Sequence, residues 1–468
     1  MPCTSRSPFT TWRSRCSTRS RSWRAISSSD SGPRWYWMPT SGAIFSRPGR
    51  TRARTGILRV HPDRTPMTTA PADGPARRAR PKDRKQRILT TAAELFRTDG
   101  YHAVSMSDIA ERVGIVPSAL YRHYRNKNEL LVAAFDEALS RYEEEIEGVA
   151  DPVEATRRIV HVTTGSRALD SLWSRDQGHL RPEERAVLLR RIRTVASGFA
   201  SLIDAASEPG CVPADVTSWA VFAVVNWPGH RELPVPVADQ PRMLMEAARA
   251  VVAAGLDPNR PQPETMSVGP AQIDAGARML PASRREALLT TAITMFAARG
   301  YPNVSLDDIG DAVGIAGPSV YNHFSSKRDI LVCGIRRSFD ALWLELGRVL
   351  GQTTDPQVAL DQLLAGYTRF AYGHWDLIAV CLSHTALLDG DELASLTRTY
   401  LDYVGEWRRL VHMCRPELTA DEAQTLVDLT LAVVNGVVRV EVLRTPTLPD
   451  DARWLAAAVL SAPLPLVE

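Results

Sequence analysis

The stretch Ser105-Met-Ser-Asp-Ile-Ala-Glu-Arg-Val-Gly-Ile-Val-Pro-Ser-Ala-Leu-Tyr-Arg-His-Tyr124 decides the fold. Ser105 and Asp108 stand three apart, a spacing that lets a hydroxyl and a carboxylate satisfy the free N–H groups at a helix start. Ile109, Ala110 and Val113 then share one helical face. Gly114 ends that helix, and Pro117 opens a second short one, where proline's missing N–H costs nothing. Two short helices across a Gly-containing turn make a helix-turn-helix, whose second helix fits the major groove of DNA. Upstream, Ile88, Ala92, Leu95 and Phe96 lie on one helical face that Gly100 closes as a C-cap residue would. Downstream, a fourth helix follows Asn126, with Leu130, Leu131, Ala134 and Phe135 turned inward.

The same pattern occurs again 200 residues later. Leu89-Thr-Thr-Ala92 matches Leu289-Thr-Thr-Ala292, and Asp108-Ile109 matches Asp308-Ile309. Phe96, Gly100, Tyr101, Val104 and Ser105 match Phe296, Gly300, Tyr301, Val304 and Ser305. Between 84–135 and 284–335 there are 20 identities in 52 positions without a gap. Chance gives roughly one in fifteen at ordinary composition, so the segment is duplicated. A weaker echo, Ala223-Val-Val-Asn226 against Ala432-Val-Val-Asn435 at an offset of 209, lies late in each half and points to duplication of a whole module.

On these residues, 82–142 resembles the N-terminal domain of the tetracycline-repressor (TetR) family of bacterial regulators. The resemblance is carried by Ala92-Ala93-x-Leu95-Phe96, Gly100-Tyr101, Ser105-x-x-Asp108-Ile109-Ala110, Val113-Gly114-Ile115, Leu120-Tyr121-x-His123-Tyr124 and Lys127-x-x-Leu130. Residues 282–342 repeat it, with Tyr321-Asn-His323-Phe324-x-x-Lys327. It implies an all-α chain of two tandem TetR-like modules. Each is a helix-turn-helix three-helix head followed by a helical domain that binds small molecules and dimerises. The segments 143–260 and 343–468 resemble the family only as helical stretches of suitable length.

Both copies depart from the family at the start of the recognition helix. Val116 and Ala316 stand where Ser or Thr is usual, so a capping hydroxyl is missing. Pro117, Ser118 and Ala119 in copy one, and Gly317, Pro318 and Ser319 in copy two, take the base-facing positions. None makes the bidentate contacts that discriminate bases strongly. Base readout therefore falls to Ser107, Ser118, Arg122, Ser319 and Asn322, or to methyl contacts and DNA shape. Tyr121, His123 and Lys127, with Tyr321, His323 and Lys327, are expected to flank the phosphates; Ser105 and Ser305 complete the candidate set. The competing reading is an ordinary three-helix bundle. Against it, the packing needs of the short helix are met by Ala119 and Leu120, which leaves its polar residues unexplained.

Charge is unevenly spread over the 468 residues. Residues 1–66 hold thirteen Arg and two Asp, with no Lys or Glu, which is +11; the whole chain is +3, leaving 3 − 11 = −8 for residues 67–468. A DNA-binding body of that sign needs its positive charge concentrated locally. The first 66 residues lack helical or strand periodicity and aliphatic content, the composition of a disordered segment. They read as a basic nucleic-acid arm, a targeting segment or, the favoured reading, sequence upstream of a true start at Met67. The run Arg77-Arg78-Ala-Arg80-Pro-Lys82 is either a solvated leader or an arm touching phosphates.

No run of about 18 apolar residues suggests a membrane span. The six cysteines show no CxxC or zinc spacing and read as reduced thiols of a cytoplasmic protein. No Gly-rich phosphate loop, Gly-x-Ser-x-Gly or catalytic triad is present, so neither an enzyme nor a cofactor is expected. The expected organisation is 1–66, a basic leader 67–81, head one 82–142, regulatory domain one 143–256, a linker 257–281, head two 282–342 and regulatory domain two 343–468. The expected function is a transcriptional repressor that binds a double-stranded DNA operator and is released by a small apolar effector. The alternative is a helical ligand-binding or interaction protein whose heads no longer bind DNA. The apolar segments Val221–Val225 and Leu431–Val434 are expected to pair the modules, inside one chain as a pseudo-dimer or between chains as a homodimer.

Overall fold

The computed structural model describes residues 81–101, 103–165, 180–230, 233–263, 279–384, 388 and 390–464. The expectations for residues 1–66 and for Arg77 to Arg80 lie outside them. Among the described residues the regular elements are all helical. Head one comprises α1 (Pro81–Asp99), α2 (Met106–Val113), α3 (Pro117–Tyr121) and the start of α4 (Lys127–Ile146). Its body continues with α5 (Pro152–Gly165), α6 (Pro182–Ala205), α7 (Ala214–His230) and α8 (Gln240–Gly255). Head two is α9 (Arg284–Arg299), α10 (Leu306–Val313), α11 (Gly317–Val320) and the start of α12 (Lys327–Leu350). Its body holds α13 (Pro356–Gly373), α14 (Trp375–His384), α15 (Gly390–Cys414), α16 (Ala420–Val438) and α17 (Leu448–Leu460).

Local chemistry sets the limits of the head helices. Ser105 caps α2, its hydroxyl accepting from the Asp108 N–H at 3.2 Å while its own N–H donates to the Asp108 carboxylate at 2.7 Å. Ser305 and Asp308 repeat the arrangement at 3.0 and 2.7 Å. Gly114 and Gly314 end α2 and α10 at φ 77° and 74°, a left-handed conformation that a Cβ would strain. Asn126 caps α4 through the Glu129 N–H at 2.8 Å. Ile88, Ala92, Phe96, Ile109, Leu120 and Leu130 then close a fully buried core.

A lysine ties each head together from inside. The Lys127 ammonium donates to the Val104 carbonyl at 2.8 Å and to the Tyr101 carbonyl, and it lies 4.3 Å from the Tyr101 ring centroid. Lys327 donates to the Tyr301 and Val304 carbonyls, both at 2.8 Å, and sits 4.3 Å from the Tyr301 ring. Burial lowers the Lys327 pKa, with the Asp308 carboxylate opposing it. Each lysine, at the start of the fourth head helix, thus pins the connection between the first two.

Two expected boundaries shift. Residues 142 and 342 fall inside α4 and α12, so a continuous helix joins head to body where a domain border was expected. The physical reason is that α4 packs on α1 at one end and on α5 and α6 further along, which makes it part of both cores.

The modules meet through four helices, α7 against α16 and α8 against α17. Val221, Val224 and Val225 of α7 and Val433, Val434 and Val437 of α16 are fully buried. At Gly436 a Cβ would collide with that of Ala223, so the two backbones approach more closely than any larger residue allows. Trp454 donates its indole N–H to the Ala254 carbonyl across the junction at 2.9 Å. The expected linker also begins later than position 257. Arg260 is buried, donating to Asp451 at 2.7 Å and to the Gly210 carbonyl at 2.9 Å. It is drawn in because Asp451 in α17 is itself buried; desolvation pushes that carboxyl above the usual range, and the guanidinium pulls it back down. Residues 264–278 of the linker lie outside the described residues.

Two stability measurements follow from this geometry. Lys127→Met keeps the apolar stem and leaves two carbonyls short of a donor. It should cost about 1–3 kcal/mol in thermal unfolding and leave the salt slope of DNA binding by the folded protein unchanged. A shallower slope without destabilisation would restore the expected phosphate contact. Arg260→Ala leaves a buried carboxylate unpaired and should cost about 3–5 kcal/mol in denaturant unfolding. Arg260→Met combined with Asp451→Leu should recover most of that loss, because an apolar pair has no desolvation penalty.

Candidate nucleic-acid interface

In head one, α3 is held by one side chain. Leu120 is buried, and Tyr124 beyond the helix is buried too. Around that anchor Pro117, Ser118, Arg122 and His123 are exposed, Tyr121 is 51% exposed, and Ala119 is half-buried. Val116, at the N-cap, makes no side-chain cap and is 65% exposed, as its lack of a hydroxyl implies. Ser107, in the first turn of α2, faces solvent. The short helix α3 packs on α2, which brings the candidates of both helices onto one unit.

Head two keeps the frame and changes the rim. Val320 is the buried anchor; Pro318 and Asn322 are exposed, Tyr321 is 61% exposed, and Ser319 and His323 are half-buried. Gly317 departs from expectation. It is buried and does not face outward, because the Asp307 carboxylate lies over it and would collide with any Cβ there.

The remaining candidates are used within the heads. Ser105 and Ser305 are helix caps whose hydroxyls are engaged with Asp108 and Asp308; these contacts hold both carboxyls below the ordinary aspartate value. Lys127 and Lys327 donate their ammonium protons to backbone carbonyls within the head.

Sequence reasoning passed over three exposed charges: Arg112, Arg125 and Asp307. The 200-residue offset carries the signal for them, because it pairs Arg112 with Ala312, Arg125 with Ser325 and Ser107 with Asp307. Among the described residues, no group of three or more His, Cys, Asp or Glu is placed to hold a metal ion. None of their helices is long and apolar enough to cross a membrane. The arrangement offers hydroxyl, imidazole and guanidinium donors around a short exposed helix. Such groups bind phosphates to position a protein on DNA, and base edges to select a sequence.

Comparison with known proteins agrees with this reading of the heads. The family model described as "Bacterial regulatory proteins, tetR family" matches residues 88–134 and 288–332. The HTH-type transcriptional regulator UidR of Escherichia coli (strain K12) is 30% identical over 141 residues, 29% of this chain and 71% of that protein. The HTH-type transcriptional repressor KstR2 of Mycolicibacterium smegmatis is 35% identical over 99 residues, 21% of this chain and 48% of that protein. The solved structure of the ketosteroid transcriptional regulator KstR2 of Mycobacterium tuberculosis aligns at 23% identity with a TM-score of 0.34, covering 39% of this chain and 97% of that one. With its helix-turn-helix head present twice in one all-helical chain, the protein belongs to the tetR family of bacterial regulatory proteins.

Proposed function

We propose that the chain is a sequence-specific DNA-binding transcriptional repressor that a small apolar molecule releases from its operator. The carrying observation is the rim of exposed polar side chains around a recognition helix anchored by a single apolar residue. Tyr121, Arg122 and His123 surround Leu120, and none of these polar groups is needed for packing.

The effector reading is supported by the aromatic nest of the second body. Trp343 stands 5.9 Å from Tyr403, Tyr367 5.9 Å from Trp407, and Phe339 6.2 Å from Tyr400, measured between ring centroids. Rings gathered among α12, α13 and α15 make an apolar, aromatic interior of the kind that lines sites for apolar guests. Each body also grips its head at an equivalent place. Asn128 donates to the Glu184 carboxylate at 2.9 Å, and Arg328 donates to Glu392 at 2.8 Å. Movement of α6 or α15 therefore bears on the first turn of α4 or α12. Release of DNA is then a shift between two head arrangements, driven by the effector's preference for one of them.

The single-chain pseudo-dimer is supported by the shape of the shared face. At the offset of 209, Ala223 corresponds to Ala432, and Gly436 corresponds to Trp227. Ala223 enters at Gly436, so the two faces are complementary without being alike, whereas a two-fold homodimer requires a self-complementary patch.

Selection of duplexes from a randomised library should enrich a short motif, and a reporter placed behind that motif should be repressed by the chain. A ligand identified by mass spectrometry of the purified protein should weaken the complex when added back. Failure to enrich any sequence favours the alternative of silent heads. Light scattering should give the mass of one chain; a two-chain mass together with a perfectly palindromic selected site removes the pseudo-dimer.

A further inference from the structure

The two heads share a backbone plan and differ in the charge they present. Across residues 100–128 head one carries four cationic side chains, Arg112, Arg122, Arg125 and Lys127, against two anionic ones, Asp108 and Glu111, for +2. Across 300–328 head two carries Lys327 and Arg328 against Asp307, Asp308 and Asp311, for −1.

Geometry widens the difference. Both lysines are spent on backbone carbonyls. Arg328 is paired with Glu392 at 2.8 Å, facing the body. Arg299, at the end of α9, lies close enough to Asp308 to lower its pKa. Between residues 306 and 321 the helix-turn-helix of head two carries no Arg or Lys at all, whereas 106–121 carries Arg112. Arg112, Arg122 and Arg125 of head one are exposed and make no ion pair among the described residues; their counterparts are Ala312, Asn322 and Ser325. The carboxylate of Asp307, where head one has Ser107, lies directly over the opening residue of α11. A duplex docked on that helix meets an anion in the first turn of α10. The sequence ahead of the heads follows the same trend. Residues 77–87 hold seven Arg or Lys, and 277–287 hold three.

Nonspecific affinity for DNA comes mainly from neutralised phosphates. A face of net negative charge lacks that term and adds repulsion. Resting on the DNA-binding reading above, we propose that this chain holds DNA with one head only: head one, through Arg122 and Arg125, carries the affinity, while the acidic face of head two stays off the duplex. The chain then reads one half-site, and the second module serves as the fixed partner that positions the first.

The test compares paired variants of the full chain by titration of a mixed-sequence duplex of about 30 base pairs over a range of salt concentrations. Arg122→Ala with Arg125→Ala should lower affinity by about tenfold or more and make the salt slope shallower by about two. Ala312→Ser with Ser325→Ala, at the counterparts of Arg112 and Arg125, should change affinity less than twofold and leave the slope alone. These positions are exposed, and equal thermal midpoints will show that all variants fold. Giving head two the residues of head one, by Asp307→Ser, Asn322→Arg and Ser325→Arg together, should tighten binding and steepen the slope by about two. Equal losses from the two paired variants, or a triple variant that binds no better, overturn one-headed binding and leave the DNA-binding reading standing. A wild-type chain that binds no duplex at any salt concentration removes both.

Discussion

The close approach of α7 and α16 is the constraint on which the molecule's organisation depends. A module of this kind buries only part of its apolar surface by itself, and the valine-rich faces of these helices must be covered. Here each covers the other within one chain, and Gly436 sets how near they come. Apolar burial contributes about 25 cal/mol per Å², so such a face, once formed, holds the modules at a fixed spacing. Joining them covalently raises their effective concentration to about the millimolar range, which favours this pairing over pairing with another chain. The Arg260–Asp451 pair adds directionality that valines cannot supply. The Arg260 guanidinium reaches the Asp451 carboxylate only when the segment after α8 lies against α17.

Within each head the organising device is different. Capping serines, left-handed glycines and an inward lysine make a small, rigid unit from local contacts alone. Because these devices are identical in the two copies, the heads have kept their shape. Their surfaces have diverged, since exposed positions answer to what they touch. A head that retains Tyr321, His323 and Lys327 thus retains a scaffold, and those residues alone do not measure its affinity for DNA.

If only head one grips the duplex while the aromatic nest of module two receives the effector, the signal has to cross the α7–α16 face. A rigid, tightly packed junction suits that task, because interfaces of this density move between discrete arrangements and do not deform smoothly.

Much of this was legible in the residues themselves. The duplication shows as identities at a constant offset of 200, while the all-helical class, the cap at Ser105 and the glycine stop at 114 depend on neighbours within four positions, so linear spacing reports them. The apolar runs at Val221 and Leu431 announced that two faces had to be covered. Tertiary structure alone decided what the polar groups do. Lys127 and Lys327 match the family pattern at positions expected to meet phosphate, yet carbonyls 23 and 26 residues earlier accept their hydrogen bonds. Asp307 looks like one more helix-opening acid until the turn folds it over Gly317. Arg260 sat in an apparent linker until a carboxylate 191 residues away drew it into the interior. Secondary structure follows from short-range hydrogen bonding and periodicity, which the sequence states directly. The partner of a charged side chain depends on which distant groups the fold brings within about 3 Å, and no local pattern encodes that.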